Sequence, residues 1–158
     1  MKKLPYKEGD IFAVPLKGGG YGWGVVARHS PGGKIVLGYF FGGPTTEVPQ
    51  ESAIPNLRPE DALLVVRFGD LSLYRGDWKI VGGVSPWNRQ QWPIPSFKIE
   101  DPLLGEQVWK VRYFPDDPAR ELGRERLATE ETLETAALWG AGAVEIALSK
   151  LAGARLTN

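Results

Sequence analysis

The chain has 158 residues, among them 20 glycines, 13 prolines, six tryptophans, one histidine and no cysteine. The absence of cysteine excludes disulfides, thiolate metal sites and cysteine nucleophiles, and the single histidine, His29, excludes histidine-pair metal sites. Basic and acidic residues number 19 each, and a chain without net positive charge is not typical of a nucleic-acid-binding protein.

The first ten residues contain charges and a proline but no apolar run, so they do not have the pattern of a signal peptide. No later segment has the length and apolarity of a membrane-spanning helix. Together with the lack of cysteine, these features lead us to expect a cytoplasmic protein that is not bound to a membrane.

Six segments with alternating or continuous apolar residues are predicted to be β-strands. They are residues 11–16, 21–29, 34–41, 62–68, 78–81 and 106–114. Glycine-rich turns separate the first three, which predicts a β-meander. Glycines inside these strands, at positions 22, 24 and 38, indicate bulges, sharp coiling or large side chains lying over bare backbone.

The second predicted strand has a clear alternation. Trp23, Val25 and Ala27 fall on one face, and Arg28 falls on the other. Residues 71–74 are predicted to continue the fourth strand briefly. Residues 84–105 contain prolines and large aromatics and are predicted to be irregular, held by their rings rather than by hydrogen-bond ladders.

The pattern changes at residue 115. The charged segment that follows, up to residue 128, is predicted to contain a short helical turn. Thr129 and the two acids after it are a good helix start, and Gly153 is a possible end. The apolar stripe of this predicted helix consists of Leu133, Ala137, Gly140, Val144, Ala147 and Leu151. Glycines 140 and 142 are expected to pack closely against the sheet.

These features predict a mainly β (α+β) fold. We expect a strongly bent antiparallel sheet or partial barrel of about six strands, with a C-terminal amphipathic helix packed on it. Residues 1–158 are expected to form a single domain, in which 6–114 are the β portion and 115–158 are the charged segment and the helix.

Histidine, serine and acidic residues act in catalysis in many enzymes, but in this chain their positions favour structural roles. His29 lies beside a turn, and its neighbour Ser30 would point to the opposite face of a strand, which favours a surface or capping role. The acidic pairs 60–61, 100–101 and 116–117 each lie beside a proline, in a turn context. We therefore expect no catalytic residue, metal site or cofactor.

The aromatic residues are more informative. Trp87 and Trp92 are separated by polar residues in a proline-rich loop, so either can be buried or half exposed. If they are exposed, they are suited to a protein–protein interface, in which tryptophan, tyrosine and arginine dominate the binding energy.

Five short motifs resemble the immunity protein 26 family of bacterial polymorphic toxin systems. They are 9–16 (GDIFAVPL), 21–24 (YGWG), 37–41 (LGYFF), 78–82 (WKIVG) and 92–97 (WPIPSF). The similarity covers roughly residues 6–114. It implies a mainly β, cytoplasmic protein that binds a cognate toxin in the producing cell and blocks it sterically, without chemistry of its own.

Neither the resemblance nor the sequence identifies the toxin, its contact residues or the oligomeric state. Our candidate partner-binding residues are Trp87, Arg89, Trp92, Asp116, Asp117 and Glu121. Zero net charge argues against an acidic mimic of nucleic acid that would inhibit a basic nuclease, although a local acidic patch at 116–121 stays open.

Two alternatives from other classes stay open. A small-barrel module that binds peptides or single-stranded nucleic acid would explain the clustered aromatics but lacks a basic groove. A hydrolase would need two of the carboxylates to face each other across a cleft.

Overall fold

In the computed structural model, residues 3–47, 50, 54–100, 107–128 and 130–157 are described. They form eight strands, two α-helices and 3-10 turns at Pro59–Asp61 and Arg89–Gln91. The strands are β1 (Asp10–Pro15), β2 (Tyr21–His29), β3 (Ile35–Thr45), β4 (Leu64–Gly69), β5 (Ile80–Gly83), β6 (Phe97–Glu100), β7 (Val108–Phe114) and β8 (Asp117–Arg126). The helices are α1 (Leu71–Arg75) and α2 (Ala141–Thr157).

The mainly β fold predicted from the sequence is confirmed. Each of the six predicted segments overlaps a strand, and β6 and β8 are additional. All strand pairings are antiparallel, in a central sheet of order β4-β3-β2-β1-β5 and a small sheet of order β6-β7-β8. Both sheets are open, and the described strands do not close into a barrel.

The central sheet is buried on both faces, which explains why its strands are apolar on both sides. One face packs against α1, α2 and Trp78, and we call it the helical face. The other face packs against the small sheet, and we call it the sheet face. The molecule therefore has three layers, with the central sheet in the middle.

Aromatic rings fill the helical face. Phe12 stacks on Trp78 with ring centroids 5.4 Å apart and meets Phe40 edge to face at 5.8 Å. The Phe12 ring lies directly over Gly24 of β2, where an added Cβ would be 2.2 Å from the ring. The strand glycine thus admits a large ring over bare backbone, which is one of the three possibilities that the sequence indicates for the strand glycines.

The sheet face contains an unexpected arginine. The pairing of β2 with β3 shifts register between Val26 and Arg28, which is a β-bulge. Because the bulge interrupts the alternation, Arg28 turns to the same side as Ala27, toward Trp92. The predicted placement of Arg28 on the opposite face is therefore wrong.

The charged segment after residue 115 is a strand and not a helical turn. The turn at residues 115–116 connects β7 to β8, and β8 pairs with β7 up to Arg126. Most of its side chains are exposed because β8 is an edge strand. Pairing with β7 here outweighs the helix propensity of a segment rich in arginine and glutamate. The prediction that residues 71–74 continue the fourth strand is also wrong, because these residues form helix α1.

The predicted helix start is also wrong. Thr129 lies outside the described residues, and residues 130–140 form an irregular connector before α2. This connector joins the edges of both sheets, because Lys98 N–H donates to the Glu134 carbonyl at 2.8 Å and Trp139 N–H donates to the Arg67 carbonyl at 2.9 Å. The connector thus supplies hydrogen bonds to edge strands of both sheets that would otherwise stay open.

Helix α2 packs on the helical face through Val144, Leu148 and Ala152, which are all buried. The predicted stripe is therefore only partly right: Leu151 is exposed, and Gly153 lies inside the helix. A Cβ added at Gly140 or Gly142 would meet nothing within 4 Å, so neither glycine packs against the sheet. Among the described residues, no helix has both the length and the apolarity needed to cross a bilayer.

Candidate partner-binding surface

The structure brings together three of the residues selected from the sequence. Arg89 forms a two-pronged ion pair with Glu8, through Nε–Oε1 and Nη2–Oε2 distances of 3.0 Å each. Its Nη1 donates to Asp116 Oδ1 at 2.6 Å. Trp87 Nε1 donates to Glu8 Oε1 at 3.3 Å. We call these four residues, Glu8, Trp87, Arg89 and Asp116, the Arg89 network.

The geometry of the turn before β1 explains how Trp87 is placed. Gly9 has a φ of +90°, which glycine adopts without strain, and an added Cβ would lie 3.1 Å from the Trp87 ring. Gly9 N–H donates to the Val26 carbonyl, and Val84 N–H donates to the Gly9 carbonyl, each at 2.8 Å. The loop bearing Trp87 therefore rests on this turn, with Glu8 beside it.

Arg28 supports the network from below. Its Nε donates to the Pro115 carbonyl at 2.7 Å, its Nη2 to the Arg89 carbonyl at 3.0 Å and its Nη1 to the Trp92 carbonyl at 3.2 Å. One buried guanidinium thus ties the Trp87–Trp92 loop and the β7–β8 turn to β2. The fork of five N–H donors suits arginine to this role.

Together with Arg28 beneath it, the network has two guanidinium groups and two carboxylates. Burial lowers the pKa of Arg28, and the positive charge of Arg89 lowers it further. Partial burial acts against the charged form of Arg89, but its hydrogen bond with Asp116 and the charge of Glu8 raise the pKa of Arg89 overall. Two carboxylates therefore hold Arg89 charged and fixed in orientation at the surface.

The remaining predicted contact residues lie elsewhere. Trp92 is 1% exposed and packs beneath Trp87 with ring centroids 5.8 Å apart, so it supports the surface and is not part of it. Asp117 accepts the Ala119 N–H at 2.9 Å and so shapes the start of β8. Glu121 pairs with Arg124 at 2.6 Å, and this pairing lowers the pKa of Glu121.

Sequence reasoning missed Glu8 as a site residue. It lies 81 positions from Arg89 along the chain, and nothing in its local pattern distinguishes it from other charged residues near the N-terminus. Only the antiparallel pairing of β1 with β5 brings these two segments side by side.

An open groove of about 490 Å³ lies between the 56–60 segment and residues 84–86 and 91–92. Grooves of similar volume occur at one end of the small sheet, 480 Å³, and beside the glycine loop after β1, 520 Å³. Volume alone therefore does not select a site. The groove near residues 56–60 adjoins the loop that carries Trp87 and Arg89, but no residue of the Arg89 network lines it.

The acidic pairs that motivate the hydrolase hypothesis have other partners where the structure describes them. Glu60 and Asp61 both contact Arg58, Glu100 pairs with Lys98, and Asp101 lies outside the described residues. His29 is half-buried, with its Nδ1 3.0 Å from the Ser30 carbonyl oxygen. The described part of the chain contains no group of three or more potential metal ligands.

Comparison with known protein families finds a match to the family described as Immunity protein 26 over residues 7–109. No curated protein and no solved structure matches the chain. The matched region includes Glu8, Trp87 and Arg89 of the network. It ends inside β7, so Asp116 and all of β8 lie beyond it.

Proposed function

The chain belongs to the immunity protein 26 family, and on that premise we propose that it binds a cognate toxin domain and neutralises it by steric occlusion. The match over residues 7–109 is the observation that carries this proposal. In this proposal the protein acts in the cytoplasm of the producing bacterium, needs no cofactor and has no catalytic activity of its own.

We place the centre of the contact surface at the Arg89 network. The Arg89 side chain is 40% exposed and Asp116 is 80% exposed, so both are accessible to a partner. Trp87 adds a partly buried aromatic ring whose position is fixed by Gly9 and Trp92. Ordered arginine and tryptophan side chains lose little conformational entropy on binding, which is why they contribute strongly to interfaces. Asp117 and Glu121 would extend the contact along β8.

Co-expression with the toxin encoded by the neighbouring gene tests the function. We expect this protein to restore growth and to form a complex with the toxin domain on a sizing column. Steric occlusion further predicts that the toxin regains full activity, with unchanged mass, once the complex is dissociated. Unrelieved toxicity together with the absence of a complex would overturn the proposal.

Arg89→Ala tests the proposed surface. We expect it to weaken toxin binding by about 10-fold or more, because truncation of a central arginine removes about 1–2 kcal/mol or more of binding energy. Lys17→Ala is the control, since it also removes an ion-paired cation of the surface, which pairs with Glu145 at 3.5 Å on the helical side of the molecule. Equal effects of the two variants would exclude the Arg89 network as the contact centre.

A further inference from the structure

The small sheet has an exposed outer face, turned away from the central sheet, that extends the surface around Asp116. Val111 and Tyr113 of β7 point inward to the core, so the alternating residues Arg112 and Phe114 lie on the outer face. The connector after β8 approaches one half of this face, where Glu131 pairs with Lys110 at 3.2 Å. The half that bears Arg112 is exposed.

The exposed half of the outer face carries two arginines, and each guanidinium lies against a neighbouring residue. The Arg112 guanidinium lies over Gly123 of the neighbouring strand, where an added Cβ would be 3.2 Å from Nη2. The Arg120 guanidinium lies 4.3 Å from the centroid of the Phe114 ring.

The pairing of charges differs between the two halves. Both lysines of the covered half are ion-paired, Lys98 with Glu100 at 3.1 Å and Lys110 with Glu131 at 3.2 Å. Neither Arg112 nor Arg120 has a carboxylate within ion-pair distance in the part of the chain that the structure describes. Each guanidinium therefore keeps its fork of N–H donors open toward solvent.

We propose that this half of the small sheet, Arg112, Phe114 and Arg120, binds an acidic patch on the toxin, with the two guanidinium groups pairing with carboxylates of the partner. The inference rests on the proposed function and names the chemistry of the partner's surface. It extends the Arg89 network, because the β7–β8 turn that carries Asp116 directly follows Phe114.

A protein partner fits this surface better than nucleic acid does. Strand β8, which carries Arg120, has three arginines and three acidic residues, the latter at positions 117, 121 and 125, and the whole chain has no net charge. A polyanionic backbone would be repelled by these carboxylates, whereas a discrete patch of side-chain carboxylates can meet the two cations alone.

The test is the association of the toxin domain with an Arg112→Glu/Arg120→Glu double variant, measured over a series of salt concentrations. Steering by opposite charges predicts that the wild-type association rate falls as salt rises. In the double variant we expect an association rate at least about 10-fold lower at low salt, with little salt dependence left. A Lys79→Glu/Lys150→Glu double variant changes net charge equally, through two exposed lysines outside the small sheet, and we expect it to associate within about two-fold of wild type.

The outcomes separate the inference from the function on which it rests. A wild-type complex whose rate and salt dependence survive the double charge reversal would overturn the inference alone, provided that thermal unfolding shows both variants to be folded. If the wild type does not bind the toxin at all, the function and the inference fail together. Binding of a single-stranded oligonucleotide by the wild type at low salt, lost in the Arg112→Glu/Arg120→Glu variant, would assign the surface to nucleic acid instead.

Discussion

The helical face of the central sheet is packed almost wholly by apolar groups, whereas the sheet face is crossed by two buried arginines. On the helical face, Phe12, Phe40, Phe68 and Trp78 form one group of touching rings. On the sheet face, Arg28 and Arg67 donate to backbone carbonyls of segments that are distant in sequence.

Arg67 mirrors the role of Arg28 at the other end of the sheet face. Its Nε donates to the Pro118 carbonyl at 2.7 Å and its Nη1 to the Ala136 carbonyl at 2.5 Å, and the guanidinium lies 4.3 Å from the centroid of the Tyr113 ring. Burial lowers the pKa of Arg67. One arginine thus ties down the Trp87–Trp92 loop, and the other ties down the start of β8 and the connector.

The two faces have different structural roles. Apolar packing is strong but has little directional preference, so it is suited to holding α2 against the sheet. Hydrogen bonds from a rigid guanidinium fork fix the position of a loop closely, and the loops they fix carry the proposed contact surface. We expect core damage on the helical face to reduce stability, and damage on the sheet face to disturb the binding surface as well.

The largest effect is expected for Phe12→Ala on the helical face. Phe12 is fully buried against three aromatic rings, so its loss should reduce the free energy of unfolding by about 3–5 kcal/mol. Chemical denaturation measures the change. Phe97→Ala is the matched variant on the sheet face, and a cost well above that of Phe12→Ala would reverse the comparison.

Arg28→Met should have the next largest effect. It keeps an apolar stem but leaves buried carbonyls without a donor, which should cost about 2–3 kcal/mol. Hydrogen exchange should increase in residues 84–92 and around residue 115. Arg67→Met is the matched control: we expect a similar loss of stability, but with increased exchange at residues 117–119 and 134–139. Identical exchange patterns in the two variants would contradict the idea that each arginine positions its own segments.

Tyr39→Phe should have a smaller effect that depends on pH. The Tyr39 hydroxyl donates to the Pro93 carbonyl at 2.5 Å, and its loss should cost about 1 kcal/mol at neutral pH. Burial raises the pKa of Tyr39 to about 12. Since the folded state holds the proton more tightly than the unfolded state, this contribution is complete below about pH 10 and is lost as the pH rises toward 12.

Denaturation midpoints between pH 9 and pH 12, as approximate limits, measure this dependence. The Tyr39→Phe variant should lose less stability over that range than the wild type does. Tyr113 has a pKa raised by burial as well, so some alkaline destabilisation should persist in the variant. Superimposable pH profiles would show that Tyr39 ionises equally easily in the folded and unfolded states.

Gly142→Ala should have the smallest effect, and the opposite sign. Gly142 is exposed in the first turn of α2, and an added Cβ would meet nothing within 4 Å. Alanine has the higher helix propensity, so the variant should be more stable by up to about 1 kcal/mol. A loss of stability in thermal unfolding would indicate that the outer side of α2 has a packing role that the isolated chain does not show.

The strands of the β portion could be predicted because alternation and glycine-rich turns are local signals. The special role of Gly24 was also a local signal, since a glycine inside a strand indicates a bulge, sharp coiling or a large side chain over bare backbone, and the structure shows the last of these. The helix start could not be predicted, because the cap-like pattern at Thr129 competes with hydrogen bonds that residues 134–139 make to distant sheet edges. Strand β8 was hidden for the same reason, since its charged sequence forms a strand only beside β7.

The same distinction between local signals and long-range contacts applies to the candidate site. Composition and short motifs were sufficient to predict the mainly β fold, the family and the choice of Trp87 and Arg89 as candidate contact residues, because all of these depend on residue types and short spacings. The burial of Trp92, the pairing of Glu8 with Arg89 beside Asp116, and the position of Arg28 beneath them became apparent only in the folded chain. Those outcomes depend on a bulge in β2 and on strand pairings between residues far apart in the chain, and no local pattern encodes either of them.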